Sequence, residues 1–188
     1  MLKKTTVIFI GIIMVLLLCS CDSEEVKQAK EAYADGNYDQ VVELLSGQED
    51  LSQEAQDMLT VSEANTAYEN KEYMEAVTKL ASTSTGVESE QFEEMFNAAL
   101  DDAIANKEPD NIIELLALDE SKSDVVYDKI TATCSEKDYN GFIALEGLIK
   151  KLDDGDLKTK LSDFKKESKI LKAESFLVGK WGWKTSDN

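Results

Sequence analysis

Apolar residues recur along this chain in a pattern that copies itself. Ala29, Ala32 and Tyr33 are followed by Tyr38, Val41, Val42 and Leu45. The same chemistry returns 35 residues later as Ala64, Ala67, Tyr68, Tyr73, Ala76, Val77 and Leu80. Counted from the first residue of each set, the offsets are 0, 3, 4, 9, 12, 13 and 16. A further step of 36 gives Leu100, Ala103, Ile104, Pro109, Ile112, Ile113 and Leu116. A step of 30 then gives Ile130, Thr133, Cys134, Tyr139, Phe142 and Ile143, with Glu146 in the last position and Leu145 as its substitute.

The first three offsets make one face of a helix, and the last four make one face of a second helix. A short polar break lies between them: Asp35 to Asn37, Glu69 to Glu72, Asn106 to Glu108 and Ser135 to Asp138. Such a break lets two helices fold back as an antiparallel hairpin. Pro109 suits the first turn of a helix, where its missing N–H costs nothing. Longer breaks at Ser46 to Asp50, Ser82 to Gly86 and Asp119 to Ser123 separate the hairpins. Leu157, Leu161, Phe164, Ser168 and Leu171 mark one more helix without a partner. The pattern predicts an all-α fold, a solenoid of about four antiparallel hairpins over residues 24–152 sharing one continuous apolar seam. A capping helix over 153–175 and a short extended tail over 176–188 complete it. A plain helical bundle is the alternative.

Gly36-Asn37-Tyr38-Asp39-Gln40-Val41 and Lys71-Glu72-Tyr73-Met74-Glu75-Ala76 follow a G-x-[YF]-x-x-A pattern, with Val for Ala in the first and Lys for Gly in the second. In these motifs and in its period the unit resembles the tetratricopeptide repeat. The likeness is good over residues 24–81 and degenerate over 88–152. It implies stacked helix pairs whose small residues sit where helices touch. The residues it assigns to repeat packing are Ala29, Tyr33, Tyr38, Val41, Ala64, Tyr68, Tyr73, Ala76, Ala103, Pro109, Ile112, Tyr139 and Phe142.

The chain opens on Lys3-Lys4 and an apolar run of 12 residues from Val7 to Leu18. That run is too short to cross a bilayer, which needs roughly 20 apolar residues, and has the length of a signal-peptide core. Leu18, Cys19, Ser20 and Cys21 follow. They resemble the lipobox of bacterial lipoproteins: aliphatic at −3, small at −1, then cysteine. The resemblance implies a signal peptide over residues 1–20, a lipidated tether over 21–23, and a diacylglycerol thioether on Cys21. Two acyl chains hold a protein stably at a membrane where one does not. Residues 1–20 take Lys3, Lys4 and no acid with them, leaving 168 residues with a side-chain charge of −20. After that processing Cys134 is the one remaining thiol, read as packing on an apolar helical face.

Charge sharpens this picture. The whole chain carries −18, with 38 acids against 20 basic residues, every one of them Lys. Residues 22–124 hold 27 acids and 6 Lys, whereas residues 125–188 hold 11 acids and 12 Lys. Without His there is no imidazole-based triad or zinc site, and without Arg no bidentate phosphate clamp. Nucleic acid is a poor partner for so acidic a chain. Asp153-Asp154-Gly155-Asp156 lacks the order of a calcium loop and reads as a helix-to-helix turn. No cofactor or metal site emerges, and an enzyme would have to work with carboxylates alone.

These features point to an exported, lipid-anchored helical-repeat protein of the cell envelope. It would bind another protein or peptide, one of basic character if the acidic repeats form the groove. The alternative is a ligand-sensing or solute-binding lipoprotein that uses its aromatic tail, where Trp181 and Trp183 sit two residues apart. On a strand they would share a face. The tail would pack on the capping helix, serve as a loose binding segment, or begin a small β domain.

Overall fold

The computed structural model describes residues 23–84, 86–134 and 139–180, without the side chains of 139–142, 144 and 169–180. These residues are all-helical. Nine α-helices follow one another among them: α1 (Glu24–Ala34), α2 (Tyr38–Leu45), α3 (Gln53–Glu69), α4 (Tyr73–Ala81), α5 (Glu90–Asn106), α6 (Pro109–Leu118), α7 (Ser123–Thr133), α8 (Tyr139–Lys151) and α9 (Asp156–Lys180). Short 3₁₀ turns at Gly86–Glu88 and Glu120–Lys122 lead into α5 and α7.

Serine starts three of these helices. The hydroxyl oxygens of Ser23, Ser52 and Ser89 accept the N–H of Val26, Ala55 and Phe92 at 3.3, 3.3 and 3.1 Å. Each satisfies one of the donors a helix leaves orphaned at its N-terminus. Pro109 opens α6, as its fixed φ favours.

One turn joins α1 to α2, α3 to α4, and α5 to α6. Its pivot is a left-handed residue: Gly36 at φ +72°, Lys71 at +66° and Lys107 at +60°. Around each pivot the chain makes the same two hydrogen bonds. The N–H of Asn37, Glu72 and Glu108 donates to the carbonyl of Ala32, Ala67 and Ala103 at 2.8, 2.9 and 2.9 Å. The N–H of the pivot itself donates to Tyr33, Tyr68 and Ile104 at 3.0, 3.0 and 3.2 Å. This is the Schellman arrangement, which consumes carbonyls that would otherwise be left bare at a helix end. In the first two turns the flanking tyrosines meet edge to face, Tyr33 with Tyr38 at 5.8 Å and Tyr68 with Tyr73 at 5.5 Å.

Packing ties each helix pair to the next. From α1 to α6 each helix packs on its successor; beyond that, α6 packs on α8, α7 on α8, and α9 on both α7 and α8. Lysines reach back across these contacts. Lys122 pairs with Glu93, Lys129 with Asp101 at 2.6 Å, Lys151 with Asp110 at 2.5 Å and Lys160 with Asp124 at 3.0 Å. The Lys-richer C-terminal part thus meets the far end of the acidic segment. Exposed pairs of this kind contribute up to about 1 kcal/mol each.

The apolar interior is not the single seam that the repeat predicts. It falls into two clusters that meet along α3. The smaller gathers Val26, Ala29, Ala32, Val41, Leu45, Ala55 and Met58 from α1, α2 and the first half of α3. The larger starts at Ala64 and Ala67 in the second half of α3 and runs to Leu161 in α9. It contains Phe92, Phe96, Leu100, Ile112 and Leu115, all fully buried. Between the clusters lies Ser62, fully buried, its hydroxyl donating to the Met58 carbonyl at 2.8 Å. A polar residue facing inward interrupts the stripe, and its own helix satisfies it.

Three other expectations need correction. The fourth unit departs from the repeat: Ile143 is 51% exposed, while Leu145 and Leu148 are fully buried in its place. Helix α8 is therefore turned relative to the register that a step of 30 residues sets. Cys134 lies past the end of α7 rather than on a helical face, half-buried against the larger cluster. The C-terminal helix runs from Asp156 to Lys180, so residues 176–180 are helical rather than part of an extended tail. Nothing in Phe176-Leu177-Val178-Gly179-Lys180 forces a stop, and one glycine in a long helix costs only about 1 kcal/mol.

Candidate functional site

The residues expected to pack the repeats differ in burial. Ala29, Val41, Ala64, Ala76 and Ile112 are fully buried, and Ala103 nearly so. Tyr33, Tyr38, Tyr68, Tyr73 and Pro109 are partly buried at helix junctions. Pro109 lies against α8, where a Cβ built on Gly147 would sit 3.5 Å from its ring. Of Tyr139 and Phe142 only the helical backbone is described. Leu18, Cys19, Ser20, Cys21, Trp181 and Trp183 lie outside the described residues.

Two adjoining clefts cross the surface formed by α2, α3, α4 and α6. The first, of about 240 Å³, is lined by Val42, Glu63, Thr66, Ala67, Asn70 and Glu72. The second, of about 440 Å³, is lined by Met74, Thr78, Ser82 and Glu114. Glu75 and Lys79, one turn apart on α4, line both, so the groove is two clefts that share one wall. Val42 and Ala67 are the apolar residues of the first cleft, and Met74 is that of the second. Glu63, Glu72, Glu75 and Glu114 give the groove four carboxylates against one ammonium.

That ammonium is already matched. Lys79 Nζ lies 2.9 Å from Glu63 and 3.6 Å from Glu75. The hydrogen bond to Glu63, helped by Glu75, raises the Lys79 pKa above its ordinary value. The charge left over is negative. Between α1 and α6 the only cations are Lys27, Lys30, Lys71, Lys79 and Lys107, and the back-reaching lysines described above serve α5 to α9. Negative charge in excess therefore collects over the first two helix pairs, which carry three of the four carboxylates of the groove.

Two further clefts differ in character. One of about 300 Å³ lies beside Tyr33, Glu54, Asp57, Met58 and Val61, between α1 and α3. Lys30 enters it and pairs with Glu54 at 3.2 Å. Asp57 accepts from Ser84 at 2.7 Å and from Gln53 at 2.8 Å, and these bonds hold its carboxyl below the usual aspartate range. The other, of about 680 Å³, opens between α6 and the turn from α8 to α9. There Lys158 and Lys160 pair with Asp154 and Asp156 one helical turn away. The Asp153 to Asp156 segment is a helix-to-helix turn, and no group of three or more metal-ligating side chains gathers among the described residues.

Sequence reasoning locates the acidity but not the groove. Glu75 and Glu114 occupy different offsets in their repeats, 11 and 14. They converge because α4 packs on α6 across the repeat boundary. No spacing within one helix carries that signal. Chemically the two clefts offer carboxylate hydrogen-bond acceptors beside a few apolar side chains, an arrangement for holding cationic side chains. No protein-family model, curated protein or solved structure matches this chain.

Proposed function

We propose that this chain is an exported lipoprotein whose tetratricopeptide-like hairpins stack as a solenoid and bind a basic segment of another envelope protein. A diacylglycerol on Cys21 holds it at the extracytoplasmic face of a bacterial membrane. The observation that carries the reading is the turn at Gly36, Lys71 and Lys107, with identical bonding at intervals of 35 and 36 residues. Units that repeat their backbone in this way build extended surfaces by stacking, and such surfaces suit protein recognition. The groove across α2, α3, α4 and α6 is where the basic segment binds. Its carboxylates steer cationic partners, and Val42 in one cleft and Met74 in the other each offer a contact to an aliphatic side chain. The anchor rests on Lys3-Lys4, the apolar run from Val7 to Leu18 and the lipobox-like Leu18 to Cys21.

The test is capture of partners from an envelope extract by the full-length chain. The wild type retains a basic protein in a salt-sensitive manner. Glu72→Lys, Glu75→Lys and Glu114→Lys together abolish that retention while circular dichroism stays unchanged. Equal retention by the triple variant would rule out this groove.

A further inference from the structure

The smaller apolar cluster stands between the tether and everything else. Ser23 caps α1, and Cys21 is two residues before it, a span of about 7 Å at most. An anchor at Cys21 therefore holds α1 against the headgroups with almost no slack. The load path from that anchor to the body passes through α1 and α2, which reach the rest of the fold chiefly through α3.

The joint there is built of small side chains. The buried part of the cluster under α1 and α2 is three alanines, two valines, one leucine and one methionine, with Tyr33, Leu44, Leu51 and Leu59 packed on it only partly buried. The larger cluster holds Phe92 and Phe96 and a run of fully buried Leu and Ile. The two are separated at Ser62 rather than interlocked. The polar ties across the joint are exposed: Lys30 with Glu54, and Thr66 donating to Asp39 at 3.1 Å. Regions with little buried apolar surface and solvent-exposed bonds open at lower cost than the global unfolding of a protein.

We propose that α1 and α2 form a separately opening unit, and that its opening turns a two-residue tether into one of about 30 residues. This rests on the lipid-anchor reading for its consequence but not for its mechanism. Closed, the unit holds the groove close to the bilayer. Open, residues 24–52 extend as free chain, up to about 100 Å when fully drawn out, while α4 to α9 keep their packing on the second half of α3. The body then reaches partners farther from the membrane without losing its fold. Pull along the tether and destabilisation of the smaller cluster both favour the open form.

Two measurements on the full lipidated chain test this. Amide hydrogen exchange should be about tenfold or more faster in α1 and α2 than in α5 and α6. Leu45→Ala, and the milder Val41→Ala, should accelerate exchange in α1 and α2 only, whereas Leu100→Ala accelerates it throughout α4 to α9. Equal acceleration of α1, α2, α5 and α6 by Leu45→Ala would mean one cooperative unit and overturn the proposal. Neutron reflectometry on a supported phosphatidylcholine bilayer then reads the height of the protein layer. Leu45→Ala should move its centre outward by about 10–30 Å. Local exchange with unchanged height would refute the lengthening tether. A protein layer that fails to form with any variant would instead refute the anchor and the lengthening together, and leave the separate opening to the exchange data.

Discussion

Lys107 occupies the backbone position that Gly36 occupies two repeats earlier, at φ +60° against +72°. Glycine adopts that conformation freely, whereas a residue with a Cβ pays about 1 kcal/mol or more. Lys107→Gly should therefore stabilise the protein by about 0.5–1 kcal/mol, and Lys71→Gly by a similar amount. Gly36→Ala should destabilise α1 and α2 by about 1 kcal/mol. Urea unfolding at fixed ionic strength measures all three, and a loss of stability in Lys107→Gly would contradict the strain.

Gly86 is constrained by space rather than by φ. A Cβ placed on it would lie 1.7 Å from the Leu80 carbonyl oxygen. Backbone has to shift to make room, and the turn between α4 and α5 cannot shift without disturbing Leu80 and Phe92, both in the core. Gly86→Ala should cost about 1–3 kcal/mol. Thermal unfolding checks this, with Gly155→Ala, which meets nothing within 4 Å, as the tolerant comparison.

Asp57 couples α3 to the turn after α4 through Ser84. Its carboxyl is depressed in the folded chain, by Ser84 first and Gln53 second. The stability it contributes is present above the ordinary aspartate range and disappears as pH falls through the lowered folded value. The carboxylate is solvated, so the amount is a few tenths of a kcal/mol at most. Ser84→Ala should move the Asp57 titration upward, toward the ordinary range, in carbon-detected NMR. An unchanged midpoint would show that the hydroxyl contributes nothing.

Cys21→Ala should abolish metabolic labelling with palmitate and release the protein from membranes. Ser20→Ala, which keeps a small residue before the cysteine, should leave labelling intact. Continued labelling of the Cys21 variant would overturn the lipobox reading.

Spacing made the helices over α1 to α6 legible, because burial at offsets 0, 3, 12 and 16 follows directly from helical geometry. It also placed the breaks, since the pivot at Gly36 announces itself. Lys71 and Lys107 do not; nothing about lysine advertises a left-handed backbone, and only alignment with Gly36 reveals them. The register of α8 was not legible, because Ile143 and Leu145 are equally apolar and their roles are set by how α8 settles on α6 and α7. The divided core was hidden for a related reason. Ser62 looks like an ordinary surface serine until α3 is flanked on both sides. The groove is least legible of all, as Glu63, Glu75 and Glu114 come from three helices.

The turn that recurs at Gly36, Lys71 and Lys107 is specified almost wholly by main chain, with an alanine carbonyl as its fixed acceptor. It tolerates different flanking side chains: tyrosine flanks two copies, while isoleucine and proline flank the third. A gene encoding such a unit can duplicate or lose it without redesigning the joint. A helix pair inserted or removed in steps of 35 or 36 residues would therefore meet its neighbours through the same main-chain joint.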